Sequence, residues 1–270
     1  ESLSLLPNSW SIRNDLAETH IQAGQPEAAL QPLRDSLRIT KGSNESAKAH
    51  YLLSLAYRDL ERPDQEATAL EDALALDYSA DWASESVKTL SEYHSGLSKD
   101  AALDRLNDAI GRASHYKDPA QAVAYYLRGR IFAQFGLNTQ ASEDFNLSHH
   151  LGCRWSELFA ARGRVAQLLG RDDDAINDFE RVIRLDPENT EYYVYLGEYH
   201  RSRGSYRQAG ERLDAAIRLD PESVEAYHVR GLLRFDEGAS RPAQYQYMRH
   251  FVVNTQYDVQ MQKGLMTLSP

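Results

Sequence analysis

Small and large apolar residues recur at fixed offsets in the second half of the chain. They define four consecutive blocks of 34 residues, which begin at Ala122, Ser156, Thr190 and Val224. In each block, positions 8 and 15 are glycine, position 20 is alanine and position 24 is large and apolar. At about 100° per residue, positions 4, 7, 8 and 11 share one face of a first helix, and positions 20, 24, 27 and 28 share one face of a second. The pattern predicts two amphipathic helices in every block.

The predicted helices have recognisable ends and a predicted crossing point. Glycine at position 15 favours the left-handed backbone at which a helix terminates. Pro187 and Pro221, at position 32 of their blocks, stop the second helix because proline has no amide donor. Glycine at position 8 and alanine at position 20 allow two helices to approach closely. Since a period of this length with two helices per unit is typical of a solenoid, we expect an all-α fold.

One block carries a family resemblance at almost every defining position. The segment from Tyr192 to Pro221 resembles the tetratricopeptide repeat through Leu196, Gly197, Gly204, Tyr206, Ala209, Leu213, Ala216, Ile217 and Leu219. The block that begins at Ser156 is similar to the same family at nearly as many positions. The resemblance implies a right-handed α-solenoid, or superhelix, of antiparallel helix pairs that serves in protein–protein interaction.

Looser copies extend the repeat toward the start of the chain. We predict one array at 10–257 with seven repeats, at 10–43, 47–80, 83–116, 122–155, 156–189, 190–223 and 224–257. The third repeat matches least well, because Gly96 lies one place out of register. Residues 1–9 are interpreted as the end of a preceding repeat or an N-terminal cap, and 258–270 as a C-terminal capping segment. The first residue is Glu1, so we expect a fragment or a processed chain.

Composition narrows the possible partners and compartments. A net charge of −10 argues against a nucleic-acid partner, which requires concentrated lysine and arginine. The sequence has no apolar stretch long enough for direct membrane insertion and no signal-peptide pattern. The single cysteine, Cys153, fits a reducing compartment and equally an exported protein. A soluble protein of the cytoplasm or the periplasm is therefore expected, and the choice between them stays open.

Candidate chemical sites are few. The sequence contains no phosphate-binding glycine loop, metalloprotease helix or nucleophile elbow, so we predict neither an enzyme nor a cofactor. His149, His150 and Cys153 lie close together in sequence but lack a fourth ligand, and we predict no metal site. Arg128 and Arg162 recur one period apart, and we expect them to be structural, in contact with an aromatic ring or an acidic neighbour such as Asp144 or Asp178.

A face for a protein or peptide partner follows from the resemblance. In tetratricopeptide arrays, positions 2, 5, 6, 9, 12 and 13 of the first helices line the concave groove. The predicted partner-binding residues at these positions are Tyr51, Arg58, Lys88, Tyr126, Arg130, Arg164, Tyr195, Arg201 and His228. The same positions include His94. We expect Arg130, Arg164 and Tyr126 to contact an acidic partner segment.

Three functions are compatible with these residues. The favoured one is a non-catalytic scaffold that binds a partner segment in the groove. A second is a periplasmic scaffold or spacer arm of a bacterial export or exopolysaccharide-secretion machine, and a third is a regulatory domain fused to an enzyme outside this chain. Binding of chaperone tails is disfavoured, because no pair of neighbouring repeats has the lysine and asparagine residues of the family's clamp.

Overall fold

The computed structural model describes residues 9–43, 45–114 and 121–238. These residues contain no β-strand and thirteen α-helices: α1 (Trp10–Gln22), α2 (Pro26–Thr40), α3 (Ser46–Asp59), α4 (Pro63–Leu76), α5 (Ala83–Gly96), α6 (Lys99–Ala113), α7 (Ala122–Gln134), α8 (Asn138–His150), α9 (Ser156–Leu168), α10 (Asp172–Leu185), α11 (Thr190–Ser202), α12 (Tyr206–Leu219) and α13 (Val224–Asp236). The predicted capping segment at 258–270, most of the predicted segment 1–9 and the second half of the last repeat lie outside the described residues.

The chain divides into two compact units, Glu1–Arg171 and Asp172–Pro270. The first unit contains α1 to α9, in which α1 packs on α2, α3 on α4, and α7 on α8. In the second unit α11 packs on α12. Short turns join the partners of each pair, so the two helices run antiparallel. The predicted all-α class, built from antiparallel helix pairs, is confirmed.

Local sequence explains where individual helices begin and end. Ser9 and Ser98 cap α1 and α6, because each side-chain oxygen accepts a hydrogen bond from a backbone amide of the first turn. Pro26 and Pro63 occupy the first turns of α2 and α4, where their missing amide proton costs nothing. The helices α10 and α12 end two residues before a proline, as the repeat pattern predicts.

In every described repeat except the third, the turn between the two helices has a left-handed residue at position 15. Glycine occupies this position with φ between 68° and 73° at Gly24, Gly136, Gly170, Gly204 and Gly238. In the second repeat the equivalent residue is Glu61, whose φ is 54°. A residue with a side chain therefore adopts here a conformation that favours glycine.

The crossing of the two helices requires small side chains. A Cβ atom on Gly197 of α11 would lie 2.6 Å from Leu213 Cγ of α12. Ala209, also on α12, is fully buried. The predicted close approach of positions 8, 20 and 24 is therefore present in this repeat.

The apolar core consists of successive clusters within each unit. In the first unit, one cluster includes Ala17, Leu33 and Leu53, and the next extends from Leu70 through Phe145. In the second unit, Ala209 and other apolar residues of α12 and α13 form a cluster. Each cluster contains residues of consecutive repeats, so neighbouring helix pairs share their core. Within the described ranges, none of the helices is long and apolar enough to cross a bilayer.

Candidate partner-binding face

Consecutive first helices lie side by side in each unit. In the first unit α1 contacts α3, α5 contacts α7, and α7 contacts α9; in the second, α11 contacts α13. Side chains at the predicted face positions link these neighbours. Lys48 Nζ of α3 lies 2.9 Å from Glu18 Oε2 of α1, and Arg130 of α7 contacts Ser91 of α5. We call the side formed by α5, α7 and α9 at these positions the first-helix face.

Arg130 is held in place at the centre of the first-helix face. Its Nη1 donates a hydrogen bond to Ser91 Oγ at 2.7 Å, and its guanidinium lies 5.9 Å from the ring centroid of Tyr126. The residue itself is exposed, and no described carboxylate forms an ion pair with it. Arg130 is thus an oriented, exposed positive charge.

Tyr126 differs from its predicted role as an exposed aromatic surface. Only 2% of the residue is exposed, because its ring packs against Phe145 and the edge of Trp155. Burial raises the pKa of the phenol to about 12, and Glu157 adds to the shift while Arg130 opposes it. Tyr126 therefore does not provide the expected exposed aromatic surface, and its ring lies against the Arg130 guanidinium.

The flanking residues of this face include charged and apolar side chains. Lys88 on α5 and Arg164 on α9 are both exposed, as is Leu168 at the end of α9, with 70% of its surface accessible. Tyr51 on α3 is half-buried, because its ring stacks on Trp82 at a centroid distance of 4.8 Å. The role of these residues in binding stays a prediction.

Two arginines predicted to meet a partner have carboxylates within the chain. Arg58 Nε donates to Glu66 Oε1 at 2.8 Å, which explains why an acidic residue replaces alanine at position 20 of that repeat. Arg201 donates through Nε and Nη2 to Glu198 and through Nη1 to Asp236. The hydrogen bonds to Glu198 raise the pKa of Arg201 further, and those to Arg201 lower the pKa of Glu198. Both arginines are largely neutralised by internal ion pairs.

The second unit has its own candidate residues on α11 and α13. Tyr195 is half-buried and stacks on Phe179 at a centroid distance of 5.6 Å. His228 is exposed, and the same helix carries Phe235, which is 65% exposed. These side chains give the second unit a mixed aromatic and charged surface.

His94 does not belong to the exposed face. It is 1% exposed, and its Nε2 lies 3.2 Å from Glu71 Oε1 of α4. Sequence reasoning also missed Ser91, the residue that orients Arg130. Ser91 occupies position 9 of the third repeat, the same position as Arg130 in the fourth, so the repeat register was the available signal.

The two arginines predicted to be structural contact an acidic residue and an aromatic ring, since Arg128 pairs with Asp144 and the Arg162 guanidinium lies 5.5 Å from the Phe159 ring centroid. Arg128 donates from Nε and Nη2 to the two carboxylate oxygens of Asp144, each at 2.7 Å, which confirms the predicted pairing. Arg230 pairs instead with Asp214 of the preceding repeat, at 3.0 Å. Bidentate contacts of the first kind are short and specific. These arginines hold helices together and do not contribute to the first-helix face.

Comparison with known proteins locates the repeats. One family model described as tetratricopeptide repeat matches residues 160–224 and 196–240, and a second with the same description matches residues 47–79. A search of curated protein sequences found no match.

Solved structures with this architecture are similar to the chain at low identity. A structure of Pseudomonas aeruginosa PilF is 20% identical, covers 82% of this chain and 96% of its own, and has a TM-score of 0.52. YrrB, described as a TPR protein with an unusual peptide-binding site, is 16% identical, covers 82% and 90%, and has a TM-score of 0.47. PilW, described as a type IV pilus biogenesis factor, is 16% identical, covers 82% and 97%, and has a TM-score of 0.49. At such identities a likeness bears on the fold alone.

Proposed function

Because this chain belongs to the tetratricopeptide-repeat family, we propose that it is a non-catalytic scaffold that binds an acidic segment of a partner protein on its first-helix face. The observation that carries the proposal is the state of Arg130. Its guanidinium is exposed and oriented by Ser91 and Tyr126, while other arginines of the predicted face are neutralised within the chain. An oriented arginine is well suited to a carboxylate of another molecule.

The surroundings of Arg130 favour a partner that is both acidic and apolar. Lys88, on the neighbouring first helix α5, adds positive charge, although the chain as a whole carries a net charge of −10. Leu168, with 70% exposure, supplies an apolar contact on α9. A segment in which acidic and aliphatic residues alternate matches this combination.

Prior orientation of Arg130 also reduces the entropic cost of binding. An arginine side chain that becomes ordered only on binding loses rotamer freedom, which subtracts from the affinity. Here the hydrogen bond to Ser91 and the contact with the buried Tyr126 ring order the side chain before a partner arrives. An arm of a secretion machine or a regulatory domain of an enzyme would also need a docking face, so the experiment below tests a step that the three candidate functions share.

The test measures binding of a fluorescein-labelled peptide in which glutamate alternates with leucine. We expect the peptide to bind the wild-type chain and to lose about tenfold in affinity for Arg130→Gln, because a charge-assisted hydrogen bond contributes about 1.5–3 kcal/mol. Arg38→Gln is the matched control, since Arg38 is 77% exposed on the second helix α2. A peptide with lysine in place of glutamate should not bind.

Two results would contradict the proposal. One is equal affinity of the glutamate peptide for wild type and Arg130→Gln, which would place recognition elsewhere on the chain. The other is equal loss in Arg130→Gln and Arg38→Gln, which would show that only net charge matters. Fluorescence anisotropy at two salt concentrations separates this second result, because a purely diffuse attraction disappears with salt.

A further inference from the structure

A cluster of charged side chains joins the second and third repeats at Glu71 of α4. His94 Nε2 of α5 lies 3.2 Å from Glu71 Oε1, and Arg105 Nε of α6 donates to the same oxygen at 3.0 Å. Arg112 Nη2, also of α6, donates to Glu71 Oε2 at 2.6 Å. One carboxylate therefore accepts from three groups on two helices of the following repeat. We call Glu71, His94, Arg105 and Arg112 the Glu71 cluster.

Burial makes the Glu71 cluster sensitive to loss of the carboxylate charge. The side chain of Glu71 is 5% exposed and that of His94 is 1% exposed. Arg112 also contacts Asp72 and Asp108 at the margin of the cluster. Removal of one member of a buried ion cluster leaves its partners with uncompensated charge. Neutral glutamine at position 71 would leave Arg105 without a carboxylate partner, whereas Arg112 would keep Asp72 and Asp108.

The third repeat depends on this cluster because its sequence departs from the repeat pattern. Gly96 is out of register, and the residue at position 15, Leu97, has a φ of −83° where the other described repeats have a left-handed residue. Near the end of helix α5, His94 contacts Glu71 of α4. This contact connects α5 to the preceding repeat at the end of the helix where the third repeat lacks a left-handed turn residue.

Helix α5 also carries Ser91, one turn before His94. Ser91 Oγ donates its proton to the carbonyl oxygen of Val87 at 2.7 Å. Because the Ser91 proton is used in this bond, Ser91 Oγ accepts through a lone pair from Arg130 Nη1, also at 2.7 Å. The position of Ser91 is therefore set by α5, and the position of α5 is set in part by Glu71. This chain of contacts leads from the buried carboxylate to the exposed guanidinium.

We propose that Glu71 is a positioning residue for Arg130, acting through His94, α5 and Ser91. The proposal rests on the function proposed above, in which Arg130 contacts an acidic partner segment. Loss of the Glu71 charge releases α5, displaces Ser91 and leaves the Arg130 guanidinium without its orienting acceptor. Affinity for the partner is then governed by a residue that the partner never touches.

The first test needs no peptide. The nitrogen–proton cross-peak of the Arg130 side chain, identified by its absence in Arg130→Lys, reports the environment of the guanidinium. We expect Glu71→Gln to move or broaden this cross-peak in the direction seen for Ser91→Ala, whereas Asp108→Asn should leave it unchanged. Asp108 is a matched control because it contacts Arg112 but is 70% exposed. An unchanged cross-peak in Glu71→Gln would overturn the proposal, whether or not the peptide binds.

The second test is a double-mutant cycle on the affinity for the glutamate–leucine peptide. Glu71→Gln and Ser91→Ala should each lower the affinity several-fold, and the double variant should lose no more than Ser91→Ala alone. Additive losses would indicate general destabilisation and overturn the proposal. If Glu71→Gln does not fold, His94→Gln interrupts the same chain of contacts at α5 and takes its place. If the wild type does not bind the peptide, the proposed function fails while the cross-peak experiment still decides on Glu71.

Discussion

Gly129 of α7 lies directly against Phe145 of α8, at the crossing of two helices of one repeat. A Cβ atom on Gly129 would be 2.7 Å from Phe145 Cε1, and Phe145 is fully buried. The aromatic ring has no room to move away, since the same cluster of apolar residues surrounds it. The absence of a side chain at this position therefore determines how closely the two helices approach.

Gly129→Ala should destabilise the protein despite the higher helix propensity of alanine. Overpacking of a core contact costs about 1–3 kcal/mol, and we expect a decrease of that size in the free energy of unfolding measured with urea. Gly111→Ala is the matched control. Gly111 is an exposed residue inside α6, and no described atom lies within 4 Å of an added Cβ. Gly111→Ala should raise the free energy of unfolding by about 0.5–1 kcal/mol. Equal effects of the two substitutions would refute the crossing contact.

Glu61→Gly should stabilise the turn of the second repeat. Glu61 has a φ of 54°, and the left-handed conformation costs a residue with a side chain about 1–2 kcal/mol. Part of this gain is offset, because glycine loses more backbone entropy on folding, so a net increase of about 0.5–1 kcal/mol is expected. Thermal melts of the wild type and of Glu61→Gly measure the difference in stability.

The reverse substitution at the equivalent turn gives the control. Gly24 has a φ of 68°, with no described atom within 4 Å of an added Cβ, so Gly24→Ala introduces backbone strain without crowding. Gly24→Ala should lower the melting temperature by about as much as Glu61→Gly raises it. A Glu61→Gly variant that melts at or below the wild-type temperature would show that the glutamate is not strained.

Acidification should destabilise the first unit through His50. Burial lowers the pKa of His50, and nearby Asp72, 4.0 Å away, opposes this shift without reversing it. Because the folded pKa lies below the unfolded value, the unfolded chain binds the proton first as the pH falls. The stability conferred by neutral His50 is therefore present above about pH 6.5 and is lost as the pH falls below it.

The measurement compares urea unfolding at about pH 7 and about pH 5 for two variants. His50→Gln should lose less free energy of unfolding on acidification than the wild type. His150→Gln, a substitution of an exposed histidine on α8, is the control for the loss of a histidine as such. Parallel pH profiles for the wild type and His50→Gln would contradict the assignment to His50.

The helices and turns could be predicted from the sequence because they depend on residues within one repeat. Gly197 and Leu213 face each other across a single helix pair, and position 15 has a left-handed backbone in every described repeat except the third. Such local requirements recur at each period, so periodicity reveals them. The first helices of the regular repeats begin at Ala122, Ser156, Thr190 and Val224, the first residues of the four predicted blocks.

The candidate face was harder to predict because it depends on contacts between repeats. A helical arc divides a single helix into a packed side and an exposed side, and by that criterion Tyr126 belongs to the exposed side. The ring is nevertheless buried by Trp155, which belongs to the turn before the next repeat. Likewise Arg201 meets Asp236, a residue 35 positions away that no single-helix pattern connects to it.

Buried charges were the least predictable feature. Glu71 and His94 are polar residues on helices that otherwise have exposed polar sides, and 23 positions separate them. Glutamate and histidine are also common on exposed helix surfaces, so their residue types do not reveal that they are buried. Only the packing of α4 against α5 brings the two side chains together. The irregular third repeat thus has a contact, between His94 and Glu71, that does not recur with the period of the array.

The tryptophans of the first unit give this molecule a built-in optical signal. Trp155 touches Tyr126, the ring that lies beneath Arg130, and Trp82 stacks on Tyr51. Indole emission depends on the polarity and mobility of its immediate surroundings, and tyrosines at these distances transfer excitation energy to it. A molecule that docks on Arg130 is therefore separated from a fluorophore by one aromatic ring. Occupancy of the face can be followed in the unlabelled protein by its own ultraviolet emission.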